Sequence, residues 1–493
     1  MSQPEVDSRL SMFFEPRGIV VAGASSHPGK FGFVALHNIL RNGYRGNVFA
    51  LNREGGSILG HDAMRSVDEL PDASADLLFA CTPASANLDL LRSCARKGVR
   101  AAYVTSAGYG EAGADGETAQ AELVDMARRA NVALAGPNGQ GIVSTPASLC
   151  AQIVAPYPPR GHIAIASQSG NFVSSFENLA LQSGVGVSRA ISVGNAASLG
   201  LADFLEWCAH DSETRVGLAY VEGIADGRSF FERMRAVVSR MPVVLLKGGA
   251  TAGGQQAAAS HTGALATDDR VFEGMCRQAG IIRAQTLDEA FDAAATFATQ
   301  PLPRGPRVAV LTTAGGWGVI TADAIARAGG PNGLELVALP DDLREAIDVK
   351  LPPRWSRNNP IDLAGGETRD TIPELLELVA AHPTIDAVIY LGLGIQSNQA
   401  RLMRTGSFYP EYGLERIVAY HERQDERFAL AAAEISDATN KPILTATELA
   451  IADPDNPGPR TVRSTGRLCY SSSSHAVRAL AHLWADARRR VAR

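Results

Sequence analysis

The stretch GIVVAGASS, residues 18–26, is an apolar run that breaks off into glycine, alanine and serine. A run of that kind, leading into a helical pattern from Phe33 to Asn42, opens a parallel sheet: the strand is buried on both faces and the small residues turn the chain into its crossover helix. The same design continues through NVFALN (47–52), ADLLFACTP (75–83), AAYVTSAG (101–108) and VALAGPNGQG (132–141). Residues 1–150 therefore read as one Rossmann-like domain, and the proline-rich APYPPRG (155–161) as the linker that closes it.

Two further α/β segments follow. HIAIASQSGNF (162–172), RVGLAYVEG (215–223) and PVVLLKGG (242–249) supply strands for a domain over 160–300. After QPLPRGP, a domain over 304–493 starts with RVAVLTTAGGWG (307–318). It continues through LELVALP, a helix from Thr371 to Ala381, AVIYLGLG (387–394), a charged helix near Glu415 to Thr439, the strand PILTATE and a final helix HAVRALAHLWADARRR. The fold class expected is α/β, with three parallel-sheet domains. A chain of 493 residues has room for them.

Composition narrows the function. With 46 basic and 52 acidic residues the net charge is −6, and the only basic cluster is the terminal ARRRVAR, so no nucleic-acid footprint is expected. The six cysteines form no C-x-x-C pair, which suits reduced thiols rather than a disulfide frame or zinc site. No metal site is expected in this chain. Neither a signal peptide nor an apolar run near 18 residues is visible, so a cytoplasmic protein without a membrane span is expected.

The first turn, GASSHPGKFG from Gly23 to Gly32, resembles two phosphate-binding fingerprints and fits neither. Gly23 and Gly29 are separated by five residues and Phe31 follows Lys30, which excludes a P-loop. The second strand ends in Asn52-Arg53 rather than in the acid that binds the ribose of NAD. A basic residue there suits the extra ribose phosphate of NADP or coenzyme A, and Lys30 could serve a diphosphate; spacing alone equally allows two solvated charges.

IAIASQSGNF and VAVLTTAGGWG share a second design, in which a strand, a tight turn and a helix N-terminus present free N–H groups to an anion. Ser169, Gly170 and Asn171 in one, and Gly315 and Gly316 in the other, are the candidate phosphate contacts, with plain turn geometry as the alternative. Between them lies GGQQAAASHTGALATDD (253–269), a loop of small residues around His261 at the carboxyl side of the PVVLLKGG strand, where open α/β sheets bind ligands.

Taken together these residues resemble the nucleoside-diphosphate-forming acyl-CoA synthetases, the superfamily of succinyl-CoA synthetase and the ADP-forming acetate–CoA ligases. GASSHPGKFG, ALNRE, VTSAGYGE, AGPNGQGI, SQSGN, YVEG, ASHTGALA, TTAGGWG and NNPIDLAG occur in the family's order. The resemblance implies a Rossmann-like CoA-binding domain followed by two flavodoxin-like domains. It also implies a phosphohistidine at His261 oriented by Glu222, and CoA contacts from Ala24, Ser25, Ser26, Lys30, Asn52, Arg53, Thr82, Pro83, Thr105 and Ser106.

Asn138 and Ser174 would face the acid substrate. Gly139 stands where many relatives carry cysteine, and Ser174 where some carry tyrosine. The implied reaction joins a carboxylate to CoA at the expense of ATP, giving ADP and phosphate. No ATP-grasp domain is visible, so the resemblance is to an α subunit, with ATP and Mg²⁺ bound by a separate β chain in an oligomer. A transferase that dispenses with ATP-grasp, and a CoA-responsive protein without catalysis, are the alternatives. RLMRTGSFYPEYGLERIVAYHERQDERF, within the unassigned 395–470, departs from the family pattern and would face the partner or the substrate.

Overall fold

The computed structural model describes residues 8–154, 156–256, 268–365 and 369–491. They form two compact units, residues 1–182 with 186–290, and residues 183–185 with 291–493.

The first unit holds two sheets. The five-stranded sheet runs in the order Asn47–Leu51, Gly18–Ala22, Leu77–Ala80, Ala101–Val104, Ala133–Ala135, all parallel. Its strands are buried on both faces because helices cover both: Phe31–Arg41 with Ser11–Phe14 and Leu201–Cys208 on one side, Ala84–Arg96 and Ala114–Arg129 on the other. Ile19, Val21 and Phe79 join a core with Phe13, Phe14 and Phe204, while Val20, Ala22 and Leu78 face Leu91, Leu123 and Leu134. A strand with no polar face cannot stand at a wet surface, which is why uninterrupted apolar runs mark these strands.

The seven-stranded sheet runs in the order Ile282–Ala284, Val243–Lys247, Val216–Val221, Arg160–Ser167, Val187–Ser192, Gly141–Ser144, Leu149–Gln152. Five strands are parallel, and the last two form an antiparallel ribbon added to its edge. Residues 141–152, which follow the last strand of the first sheet in the chain, thus hydrogen-bond to the second. Arg189, buried among Phe14, Trp207 and Ser144, fixes this junction by pairing with Asp211 at 2.9 Å and Glu15 at 2.6 Å.

The second unit has one parallel sheet in the order Glu335–Leu336, Arg307–Thr312, Ala387–Leu391, Ile443–Ala446, Cys469–Tyr470, with Ile361–Asp362 beside the end of Arg307–Thr312. The helices Ile395–Arg404 and Leu414–Thr439 pack together as a hairpin. Asp425, buried in the second helix, accepts the N–H groups of Gly394 at 3.0 Å and Ser397 at 2.6 Å, and so caps the first. Among the described residues no helix is long and apolar enough to cross a membrane, and no three His, Cys, Asp or Glu residues cluster as a metal set. All six cysteines are free thiols.

Candidate functional site

A groove of about 830 Å³ lies at the carboxyl end of the first sheet. Its floor exists because Gly23 (φ +76°) turns the chain and Gly32 lets the helix Phe31–Arg41 press against the Gly23 carbonyl, where any Cβ would collide. Ala24, Ser25 and Lys30 line one side. Asn52 and Arg53 line the next, with Asn52 clamping the loop by donating to the Ala24 carbonyl at 2.7 Å. Thr82 and Pro83 close the third.

Three of the residues named for this ligand stand elsewhere. Ser26 is exposed outside the groove lining. Thr105 is buried, its hydroxyl donating to the Ala80 carbonyl at 2.9 Å. Ser106 is reached only through buried Asn87, which accepts from Thr82 Oγ1 at 2.6 Å and donates to Ser106 Oγ at 2.8 Å. Thr105 and Ser106 support the groove from behind. In their place the fold contributes Arg65 and Arg96, so four cations, Lys30, Arg53, Arg65 and Arg96, ring the space. A signal for the last was available: Ser85, Asp89, Ser93 and Arg96 form a polar stripe at helical spacing on Ala84–Arg96, and this stripe faces the groove. Cys81 also lines it, its thiol pushed up to about 12 by burial.

A second cavity, of about 480 Å³, opens where the loops of the two sheets of this unit meet. Glu222 enters it from the end of Val216–Val221, 9% exposed, with its carboxylate accepting from Tyr220 Oη at 3.2 Å. Its backbone N–H donates to Gln168 Oε1 at 2.6 Å, which ties the strand end to the turn preceding Gly170. Tyr220 is itself stacked on Phe172 at 3.7 Å. Asn138, held at φ +60°, reaches Asn195 Oδ1 at 3.3 Å. Asn195 donates in turn to Glu111 at 2.5 Å and Gln120 at 3.0 Å. Glu111 is kept below the ordinary carboxylate range; burial opposes this, and the donors Asn195, Gly108 and Tyr109 outweigh it.

The two Gly-rich turns share a device that sequence only hinted at. Ser167 Oγ donates to the Ser169 carbonyl and accepts from the Ser169 N–H; Thr312 Oγ1 does the same with Ala314. Each hydroxyl locks the turn two residues on and leaves Gly170 and Gly315 as the first residues of their helices. Ser169 and Gly170 are half-buried and Asn171 is exposed. Gly315 and Gly316 belong to the second unit, where a Cβ on Gly315 would meet an oxygen of the Asp362 carboxylate at 2.5 Å.

Ser174 does not line the cavity. Its hydroxyl donates to Gln140 Oε1 at 3.0 Å, and Gln140 continues through Gln152 to the buried Glu177. Gly139 has a steric cause: a Cβ there would overlap the hydroxyl of Tyr103, which donates to the Ser192 carbonyl at 2.5 Å and accepts from the Gly141 N–H at 2.8 Å. His261 lies outside the described residues. Lys247, just upstream, donates to the carbonyls of Gly248 and Gly249 and lies 3.8 Å from Asp269, so it holds both ends of the segment in which His261 falls.

A CoA-binding domain matches residues 17–145, a succinyl-CoA ligase-like flavodoxin domain residues 160–297, and a ligase-CoA domain residues 308–395. That succession defines a CoA-dependent acid–thiol ligase, with CoA as a substrate. The chain is 37% identical to the α subunit of ADP-forming acetate–CoA ligase II of Pyrococcus furiosus, over 77% of this chain and 81% of that one. It is 35% identical to the α subunit of isozyme I of the same organism, over 78% and 82%. An acetyl-coenzyme A synthetase of Ca. Korarchaeum cryptofilum, solved with phosphate and ADP, superposes with a TM-score of 0.83 at 29% identity, covering 98% of this chain and 97% of that one. The chain belongs to the NDP-forming acyl-CoA synthetase family.

Proposed function

We propose that this chain is the CoA- and acid-binding half of the ligase, acting through a phosphorylated His261 with ATP and Mg²⁺ held on a separate ATP-grasp subunit. The Pyrococcus relatives are named as α subunits, and this chain spans about four-fifths of their length. The single observation that carries the reading is the position of Glu222: a carboxylate at a strand end, nearly buried, in a cavity with Asn138 and beside the Gln168–Gly170 turn.

An imidazole nitrogen attacks the terminal phosphoryl group of ATP and releases ADP; the ring becomes a better nucleophile when its other N–H is held by a carboxylate, the role given to Glu222. The phosphoryl group then passes to the oxygen of a carboxylic acid. The CoA sulfur attacks the acyl carbon, and the carbon–oxygen bond to phosphate breaks. Free N–H groups at the start of Gly170–Ser183 stabilise the phosphoryl charge. Ala24, Ser25, Lys30, Asn52, Arg53, Thr82 and Pro83 hold CoA, with Arg65 and Arg96 meeting its phosphates.

The test is incubation of the chain with its ATP-grasp partner, Mg²⁺ and labelled ATP. An acid-labile, base-stable phosphate appears on the chain, is absent from His261→Ala, and forms at least about tenfold more slowly in Glu222→Gln. Label that survives in His261→Ala, or acyl-CoA formation by the chain alone without nucleotide, overturns the reading.

A further inference from the structure

We propose that Glu111 is a positioning residue of the ligase: through Asn195 its carboxylate fixes which end of the Asn138 amide stands at each place in the cavity, and so sets the affinity for the acid. The inference rests on the preceding reading of the Glu222 cavity as the place where the acid is activated, with Asn138 facing it. Glu111 closes the VTSAGYGE stretch, and no step of the reaction uses it.

Backbone contacts settle where the side chains stand. Gly194, at φ +54°, lies so close to the Pro137 carbonyl that a Cβ would meet its oxygen at 2.1 Å. The Asn195 N–H donates to the same carbonyl at 2.9 Å, and the Asn138 N–H donates to the Ser106 carbonyl at 3.0 Å. The loops that carry residues 111, 138 and 195 are thus joined main chain to main chain.

What the backbone leaves open is the rotation of the amides. The oxygen and nitrogen of a carboxamide fill nearly the same space, so packing does not choose between the two orientations of Asn138 or Asn195. Hydrogen bonding does. Glu111 Oε1 accepts the N–H groups of Gly108 at 2.5 Å and Tyr109 at 3.1 Å, which leaves Oε2 to Asn195. A carboxylate only accepts. The Asn195 nitrogen therefore faces it, at 2.5 Å, and donates also to Gln120 Oε1 at 3.0 Å. That turns Asn195 Oδ1 to Asn138, whose nitrogen donates to it at 3.3 Å. One acceptor at the end of the line sets two amides in series. The donors around Glu111 also hold it below the ordinary carboxylate range, so it stays ionised at neutral pH.

Asn138 lines the cavity and is exposed to it. A ligand there meets an N–H and an oxygen at fixed places; with the amide turned over, the two change places and the hydrogen bond to the acid is lost. A glutamine at 111 would do this. Its oxygen keeps the N–H groups of Gly108 and Tyr109, and its nitrogen confronts the Asn195 nitrogen, donor against donor.

The experiment compares Glu111→Gln with the exchanged pair Glu111→Gln/Asn195→Asp. Each is assembled with the ATP-grasp partner and assayed on whichever of acetate, propionate, 4-hydroxybutyrate and benzoate the wild type uses best. Glu111→Gln should raise the KM for the acid by about three- to tenfold, the worth of one hydrogen bond, with kcat and histidine phosphorylation from labelled ATP unchanged. In the exchanged pair a carboxylate at 195 accepts from an amide at 111 and from Asn138, while Gln120 turns its nitrogen inward and gives up the 3.3 Å bond from the Gly110 N–H. Most of the lost affinity should return. An unchanged KM in Glu111→Gln, or an exchanged pair no better than the single variant, overturns the inference while leaving the phosphohistidine reading intact. Histidine phosphorylation that falls in both variants marks a general loss of structure and overturns it as well. No histidine phosphate on the wild type sinks the reading and the inference together; histidine phosphate without acyl-CoA from any of the four acids leaves Asn138 no acid to hold and overturns the inference alone.

Discussion

Tyr103 and Gly139 form a pair in which one residue dictates the other. The Tyr103 hydroxyl, fully buried, spans from the first sheet to the backbone of the second and occupies the volume that a side chain at 139 would need. Gly139→Ala should destabilise the protein by about 1–3 kcal/mol, the usual penalty of overpacking, read as a lower thermal midpoint. Wild-type stability in that variant would mean that the Tyr103 ring can move aside at no cost. A side chain at 139 is therefore excluded here by a neighbour rather than by the chemistry of the acid.

How far single residues could be read from the sequence follows from the distance over which each is specified. Lys30 and Arg53 were legible because the strand-turn-helix unit that places them is local. Arg65 was not, since nothing in the loop that carries it says which way it faces. Glu222 could be named from a family motif. Its cavity companions Glu111, Gln168 and Asn195 come from loops as much as 111 positions away in the chain, and only the strand order brings them to one space.

At the scale of elements, the helix Gly170–Ser183 carries a buried acid in its second turn, and this gives it a pH response. Glu177 is fully buried, so its carboxyl is held well above the ordinary range by desolvation, with the Gln152 amide opposing that only in part. The ordinary value is 4.5. Below it, both folded and unfolded chains hold the proton and nothing is lost. Above it the unfolded chain ionises while the folded one stays protonated, so stability falls by about 1.4 kcal/mol per pH unit until the folded value is passed. Glu177→Gln should flatten this slope, gaining on wild type as the pH rises above the ordinary carboxylate value in urea unfolding. Parallel curves for the two proteins would show that water reaches the carboxylate.

Strands and crossover helices were legible at this scale because burial on both faces leaves an unbroken apolar run, as in LLFA at 77–80. The helices Thr371–Ala381 and Leu414–Thr439 likewise follow from their periodicity. The ribbon of Gly141–Ser144 and Leu149–Gln152 was not legible. Its four-residue strands read as the tail of the first domain, and the pairing of Gly141–Ser144 with Val187–Ser192 depends on an edge some forty residues further on.

For the whole molecule, the groove proposed for CoA and the Glu222 cavity lie in the unit of residues 1–182 and 186–290, whereas the second Gly-rich turn lies in the other. Ligand bound only to the folded groove stabilises what surrounds it: CoA at one hundred times its Kd is worth about 2.7 kcal/mol. Hydrogen exchange with and without CoA should show that protection in the strands Gly18–Ala22 and Leu77–Ala80 and the loops after them. Protection confined to Arg307–Thr312 and its neighbours would place CoA elsewhere.

The antiparallel ribbon also governs how this chain can be dissected. A truncation after residue 150 would sever Leu149–Gln152 in mid-strand and strand an unpaired, oily flap on the liberated fragment, inviting precipitation. A cut near 138 would instead leave the flap with the sheet it belongs to, so excised pieces of this enzyme stay tractable only when the scissors follow hydrogen bonding rather than chain order.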